Sequence, residues 1–372
     1  MSIFNQILLN PYFLACLSLF IAFLISIRMY PVIILLGYRK NLMATPGHRS
    51  SHVKKIPNLG GIGLFVAFSI ALTILGSLAY LSPTSLTKLV SLLSAMIILF
   101  FLGVKDDIIG LSPRKKLIGQ ILSAALVVMT TDLRIHNLGG LFGLGDFPYL
   151  FSVAFTIFLF VFVVNAFNLV DGIDGLASAI AIIASATFGI FALLNHQYLM
   201  ILTSFTLIGA LAGFLRYNFS EKRKLFMGDS GSMFIGFLLA FQAFSFLAYQ
   251  DNHYGAFTVS NAPILVLAIL SFPLLDTIRV FIIRIKNKRS PFSADRNHIH
   301  HRLLDLGLKH KKATIMVSII NIVMIILAFA IGGLDINLQL IIICMAAPVL
   351  CLCPFLMERQ QGKIKLVMPS FR

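Results

Sequence analysis

Aspartates supply most of the reactive groups in this chain, since twelve of its fourteen acidic residues are Asp. They stand in short polar breaks between long apolar stretches. The segment VKDD puts Asp106 and Asp107 side by side. Adjacent carboxylates at the end of an apolar span repel each other and lose solvation, so a proton or a cation must neutralise one of them. NAFNLVDGIDG places Asn165, Asn168, Asp171 and Asp174 at intervals of three. Residues three or four apart share a helical face, so one strip would present two amides and two carboxylates. No Lys or Arg lies between Arg134 and Arg216. Asp171 and Asp174 must therefore face water, a metal or basic groups from distant loops. FMGDSGS sets Asp229 among small residues that clear room for a ligand. Each motif also has a plain reading, as a solvated loop, a polar turn or a helix cap by Asp174, Asp229 or Ser230. Taken together, short carboxylates and amides beside basic loops suit one task, holding a divalent cation and a phosphate at a bilayer surface.

Two further loops carry bases. GHRSSHVKKIPNLGG holds His52, Lys54 and Lys55, and Gly60-Gly61 open the next span, where backbone amides can approach an anion. The longest loop, RIKNKRSPFSADRNHIHHRLLDLGLKHKKA, carries His298, His300 and His301 with Arg289, Arg296 and Arg302. Three histidines among arginines suit phosphate oxygens better than zinc, which would want Cys or carboxylate partners at fixed spacing. Asp276 and Arg279, three apart, read as a structural ion pair.

The elements that must position these groups are transmembrane helices. The chain of 372 residues is 58% hydrophobic and 12% charged, against about 25% charged in a soluble domain. A helix crossing the bilayer needs about 20 apolar residues. Eleven candidates follow: 7–27, 59–81, 87–104, 117–131, 151–168, 175–194, 197–215, 231–249, 262–283, 313–331 and 337–356. The expected fold is thus all-α, a polytopic membrane protein of about eleven helices forming a single integral-membrane domain over 1–372. Alternating these spans puts 28 of the 30 Lys and Arg on one side, all but Lys88 and Arg134. By the positive-inside rule that side is cytoplasmic, with the N-terminus outside and the C-terminal tail 357–372 inside. The net charge of +16 is then a topology signal spread over loops facing an anionic leaflet, and nucleic acid is not an expected partner. The four cysteines lie in apolar spans and predict no disulfide. The first span has no basic n-region and reads as retained.

In that order, VKDD, NAFNLVDGIDG, FMGDSGS and DRNHIHHRL resemble the polyprenyl-phosphate N-acetylhexosamine-1-phosphate transferases, over about residues 45–315. Ile299 interrupts the histidine run and Arg302-Leu303 follow it, which favours the WecA/TagO branch over the muramoyl-pentapeptide (MraY) branch. The resemblance implies transfer of a sugar 1-phosphate, foremost N-acetylglucosamine 1-phosphate, from a UDP-sugar to undecaprenyl phosphate. UMP is released and a cell-envelope glycan begins. It implies Mg2+, with Mn2+ as a substitute, surrounding membrane lipid and a homodimer. The implied location is the bacterial inner (plasma) membrane, with the active site on the cytoplasmic face. Carried over residue by residue, it makes Asn168 and Asp229 the metal ligands and Asp106 and Asp107 the catalytic pair acting on the lipid phosphate. Asp171 and Asp174 stand near the nucleotide, Phe226 stacks on uracil, and His298, His300 and His301 flank the diphosphate. Arg289, Lys54 and His52 join them as substrate-binding expectations. The stretch 218–229 is one residue longer than the family pattern and carries Lys222, Arg223 and Lys224, so the resemblance gives Asn218 no role. Two rivals share the motifs: the same reaction on UDP-MurNAc-pentapeptide or another UDP-N-acetylhexosamine, and an ion-coupled transporter. Transporter carboxylates belong near the midplane, often at inverted repeats, whereas here they gather at one face.

Overall fold

The computed structural model describes residues 10–44, 56–79, 81–251, 256–288, 290, 297–360 and 363–366. Helix starts are written in the local sequence. Asn10 accepts from the amides of Tyr12 and Phe13 with Pro11 at the first position, and Ser82 accepts from Ser85 with Pro83 following. A short polar cap satisfies orphan amides where proline has none to offer.

In chain order the helices are α1 (Pro11–Arg39), α2 (Gly60–Leu78), α3 (Pro83–Ile109), α4 (Pro113–Thr131), α5 (Tyr149–Val170), α6 (Leu176–Leu194), α7 (Tyr198–Asn218), α8 (Gly228–Asp251), α9 (Ala262–Ile269), α10 (Ser271–Lys286), α11 (Ile299–Asp305), α12 (His310–Ala330) and α13 (Ile336–Leu352). Two antiparallel strand pairs accompany them, β1 (Met43–Ala44) with β2 (Ile56–Pro57) and β3 (Met357–Gln360) with β4 (Lys363–Leu366). The second pair lies in the C-terminal tail.

Among the described residues, nine helices are long and apolar enough to cross a membrane, and ten if one bent pair counts as a single span. The protein is therefore an integral, mostly helical, polytopic membrane protein. Three of the eleven expected spans differ in detail. The first helix runs on to Arg39, because residues 28–39 are largely apolar and Tyr30 is buried there. The 117–131 span is helical as α4, but it opens on Arg114, Lys115 and Lys116 and falls outside the nine. The 262–283 span breaks into α9 and α10 with a 70° bend. Pro273 causes the break: it offers no N–H to the carbonyl four residues back, and its ring crowds that carbonyl. The freed Ile269 carbonyl accepts instead from Asn321 Nδ2 at 3.2 Å.

Helix α8 is the axis of the bundle, packed by α2, α3, α5, α6, α7 and α9. Its apolar window is 89% buried against 28% for α1. A helix apolar on all sides belongs inside the bundle rather than at its lipid boundary. The first turn of this central helix carries Asp229.

Candidate active site

The polar breaks converge at the start of α8. Asp229 lies in its first turn, Asp106 and Asp107 end α3, and Asp171 to Asp174 form the turn between α5 and α6. One cavity of about 310 Å3 is lined by Asn168, Asp171, Asp174, Phe226, Asp229 and His301, among others. Asn168 and Asp229 therefore face the same space. Asn168 Nδ2 donates to Ser232 Oγ at 2.9 Å, and its amide also bears on the Asp229 carboxylate.

The aspartate pair divides. Asp107 accepts from four donors: Asn58 Nδ2 at 2.9 Å, the Asp229 amide at 2.8 Å, the Ser230 amide at 3.0 Å and Ser230 Oγ at 2.7 Å. It caps α8 from a neighbouring helix, putting negative charge on the positive end of the dipole. Such contact demands glycine at 228, where φ is +75° and a Cβ would lie 2.7 Å from Asp107 Oδ2. Gly103 lets α3 close on the same turn, since a Cβ there would meet Ser230 Cα at 2.3 Å. Asp106 accepts from the Leu111 amide at 2.6 Å and pairs with Lys116, whose Nζ also lies 2.5 Å from Asp229 Oδ2. One ammonium thus holds together the carboxylates of two helices.

The expected Asn165-to-Asp174 strip does not form. Helix α5 ends at Val170. Asn165 turns away to Gln120 Oε1 of α4 at 2.7 Å and to the Val161 carbonyl. Asp171 sits just past the helix among the carboxylates of Asp229, Asp107 and Asp174, with no side-chain donor among the described residues. Burial first, then those like charges, push its carboxyl well above the usual range. Asp174 goes the other way. Burial alone would raise it, but His310 at 3.1 Å and Lys224 at 2.6 Å outweigh that and hold it below the ordinary value. Lys224 also lies over the Phe226 ring, 5.7 Å from its centroid.

The histidines separate too. Only His301 lines the cavity. His298 Nδ1 lies 2.8 Å from Asp276 Oδ2, and Asp276 Oδ1 accepts the Ile299 amide. The buried carboxylate therefore fixes the histidine loop; Arg279 instead donates to the Asn297 carbonyl and stacks on Phe355. His300 is 1% exposed, and among the described residues neither ring nitrogen has a hydrogen-bond partner. Its imidazole presses on Gly172, where a Cβ would lie 2.1 Å from Nε2. Burial, then the nearby His301, His298 and His310, keep it well below the usual histidine value and neutral.

Other expectations change. The Gly60 and Gly61 amides, expected to meet an anion, instead donate to the Phe226 and Met227 carbonyls at 2.8 and 2.7 Å. This ties the 57–61 segment to the approach to Asp229. Asn218 acquires a structural role: its Oδ1 accepts from the Gly175 amide at 2.6 Å and its Nδ2 donates to the Leu225 carbonyl at 2.9 Å. His52, Lys54 and Arg289 lie outside the described residues. The sequence reading did not single out Lys116, although a signal was there. Positions 116, 120, 123 and 127 follow one helical stripe, and Gln120, Ser123 and Val127 are buried, so Lys116 had to point into the bundle.

The donor set fits a hard divalent cation. Among the described residues no three His, Cys, Asp or Glu side chains form a closed cage. Mg2+ seldom needs one, binding through one or two carboxylates, waters and substrate phosphates. Asn168 and Asp229 offer such oxygens, and Asp171, crowded by like charges, would give up its proton most readily beside a bound cation.

Comparison with known proteins agrees with the motifs. The glycosyl transferase family 4 profile matches residues 89–247. The chain is 30% identical over 332 residues to the probable undecaprenyl-phosphate N-acetylglucosaminyl 1-phosphate transferase of Bacillus subtilis, covering 87% of each. It is 32% identical to the decaprenyl-phosphate N-acetylglucosaminephosphotransferase of Mycolicibacterium smegmatis, over 76% of this chain and 73% of the other. It is 29% identical to the undecaprenyl-phosphate alpha-N-acetylglucosaminyl 1-phosphate transferase of Salmonella typhi, over 80% and 79%.

Proposed function

The chain belongs to the polyprenyl-phosphate N-acetylhexosamine-1-phosphate transferase family, and on that premise we propose that it moves N-acetylglucosamine 1-phosphate from a UDP-sugar onto undecaprenyl phosphate. The product starts a cell-envelope glycan and UMP is released. What supports the reading most is that Asn168, Asp171, Phe226 and Asp229, from separate stretches of chain, line one cavity. The transporter reading finds no support, because these carboxylates gather at the helix ends on one face and the relatives are named transferases.

In this reading the N-terminus lies outside and the cavity opens to the cytoplasmic face of the bacterial inner membrane. Helices α9 and α10 count as one broken span and α4 as another, giving eleven. The whole chain, 1–372, forms one domain around a core of about 45–315, and the surrounding lipid supplies the acceptor.

Phe226 stacks on the uracil, with Lys224 over its other side to meet phosphate charge. Asn168 and Asp229 would hold Mg2+, which when bound would neutralise the diphosphate and make UMP a better leaving group. The lipid phosphate enters sideways from the leaflet toward Asp106 and Lys116. Already anionic at neutral pH, it needs positioning and charge screening more than a strong base. One of its oxygens attacks the phosphorus nearest the sugar. The bond from that phosphorus to the bridging oxygen breaks, and UMP leaves with that oxygen. Asp107 acts indirectly, holding the first turn of α8 where Asp229 needs it. His301 meets phosphate oxygens, while His298 and His300 shape the loop that presents it.

The test is a panel. Membranes containing the protein, Mg2+ and undecaprenyl phosphate are offered UDP-N-acetylglucosamine, UDP-MurNAc-pentapeptide and other UDP-N-acetylhexosamines, and UMP is measured. UMP with UDP-N-acetylglucosamine that depends on the lipid phosphate supports the proposal. UMP with only another sugar moves the substrate, and no UMP with any sugar overturns the reaction.

A further inference from the structure

A second cavity, of about 440 Å3, lies at the far end of the helices that build the first, lined by Ser82, Ser85 and Lys88 of the α3 start, His196, and Ser245 and Tyr249 of α8. Lys88 and Asp106 sit on the same helix, eighteen residues or about 27 Å apart. Ser245 and Asp229 are similarly separated on α8. The two cavities therefore occupy opposite ends of one bundle.

Four observations define what this cavity would take. Lys88 is half-buried and, among the described residues, has no ion pair or hydrogen bond. No carboxylate lines the cavity among the described residues. An ammonium partly withdrawn from water and unpaired is costly, and an anion would relieve it. Ser245, 9% exposed, has a hydroxyl with no hydrogen-bond partner among the described residues, so the cavity wall holds an unused polar group as well as an unused charge. Helix α3 begins here, adding the positive end of its dipole. By contrast Arg134, the other base on this side of the sequence, is already paired with Asp132 at 2.7 Å.

We propose that this cavity is a phosphate-binding site for a phospholipid headgroup in the leaflet opposite the catalytic cavity. Lys88 supplies the charge, Ser85 and Ser245 supply hydroxyls, and His196 closes the loop side. A lipid is favoured over a free phosphate because apolar side chains share the cavity wall with these polar groups: Leu81, Leu199 and Met200 line it, as acyl-chain contacts would. The site is independent of the sugar-phosphate reaction, and its role is to hold the ends of α3 and α8 remote from the catalytic cavity in the bilayer.

The full-length protein purified in mild detergent tests this by native mass spectrometry and thermal unfolding. Phosphatidylglycerol, a neutral diacylglycerol and inorganic phosphate are added separately. Phosphatidylglycerol should bind and raise the melting temperature, while diacylglycerol should not. Lys88→Gln should weaken the lipid at least about tenfold, the size of a lost charge-assisted hydrogen bond, with sugar-phosphate transfer unchanged. Lys88→Arg should restore it. If Lys88→Gln fails to fold, Ser85→Leu, which fills the cavity from its rim, should abolish the lipid-induced shift in its place. A Lys88-dependent shift with inorganic phosphate but none with lipid would keep the phosphate site and overturn the headgroup. Lipid binding unaffected by both Lys88→Gln and Ser85→Leu would overturn the proposal.

Discussion

Asp107 and Asp171 are the same residue type in the same carboxylate cluster, yet the molecule treats them in opposite ways. Asp107 accepts from four donors around the first turn of α8. Among the described residues Asp171 receives none, and three other carboxylates bear on it. A carboxylate fully supplied with donors has no oxygen left for a cation or a phosphate, so its work is architectural. One left unneutralised beside a cavity contributes negative charge to whatever cation or proton enters. The difference separates the frame of the site from its reactive surface.

The comparison can be broken by substitution. Asp229→Ala, which removes the carboxylate shared by frame and surface, should lower kcat on the order of 10^3-fold while leaving membrane insertion intact; UMP release and membrane fractionation measure both. Near-normal turnover would remove Asp229 from the metal. Asp171→Asn should cost about 10^2-fold in activity and leave the melting temperature unchanged or slightly higher, because like-charge repulsion disappears. Asp107→Ala should do the reverse in stability, losing about 2 kcal/mol as the amides of Asp229 and Ser230 are orphaned, with a lowered melting temperature. If Asp171→Asn destabilised and Asp107→Ala did not, the division of labour would be wrong.

The same contrast recurs among the histidines with smaller effects. Asp276→Asn should lower kcat about tenfold, the cost of loosening a buried hydrogen bond, and the loss should be mimicked by His298→Ala and not add to it in the double variant. An additive loss would mean that Asp276 does not act through His298. His300 has its folded-state value below 6.5. As pH falls through 6.5 the unfolded chain takes up a proton that the buried ring refuses, so stability declines from there downward. Asp174, depressed below 3.8, adds stability above that pH that fades only in stronger acid. Thermal unfolding between pH 7.5 and 5 should therefore show a decline that His300→Leu flattens and Lys224→Met does not.

Much of this was legible in the sequence because both signals are local. Twenty apolar residues can only span or be buried, and Asp106, Asp107, Asp171, Asp174 and Asp229 stand at the ends of such runs. The lopsided placement of Lys and Arg gave each end of the bundle its sign. Asn165 was misread for an equally local reason. A spacing of three promises a shared face only while the helix lasts, and α5 stops at Val170. Lys116, Asn58, Asn218 and Asp276 gained their roles from partners 22 to 113 positions away, a distance over which no periodicity carries information.

The sequence by itself determined that this chain crosses a membrane many times and keeps oxygen ligands at the span ends, because hydrophobicity and residue chemistry belong to each segment alone. Only the tertiary structure decided which oxygens are satisfied and which stay hungry. Satisfaction depends on the packing of α3 against α8, close enough that only glycine fits at 103 and 228, and on where the broken span brings its histidines.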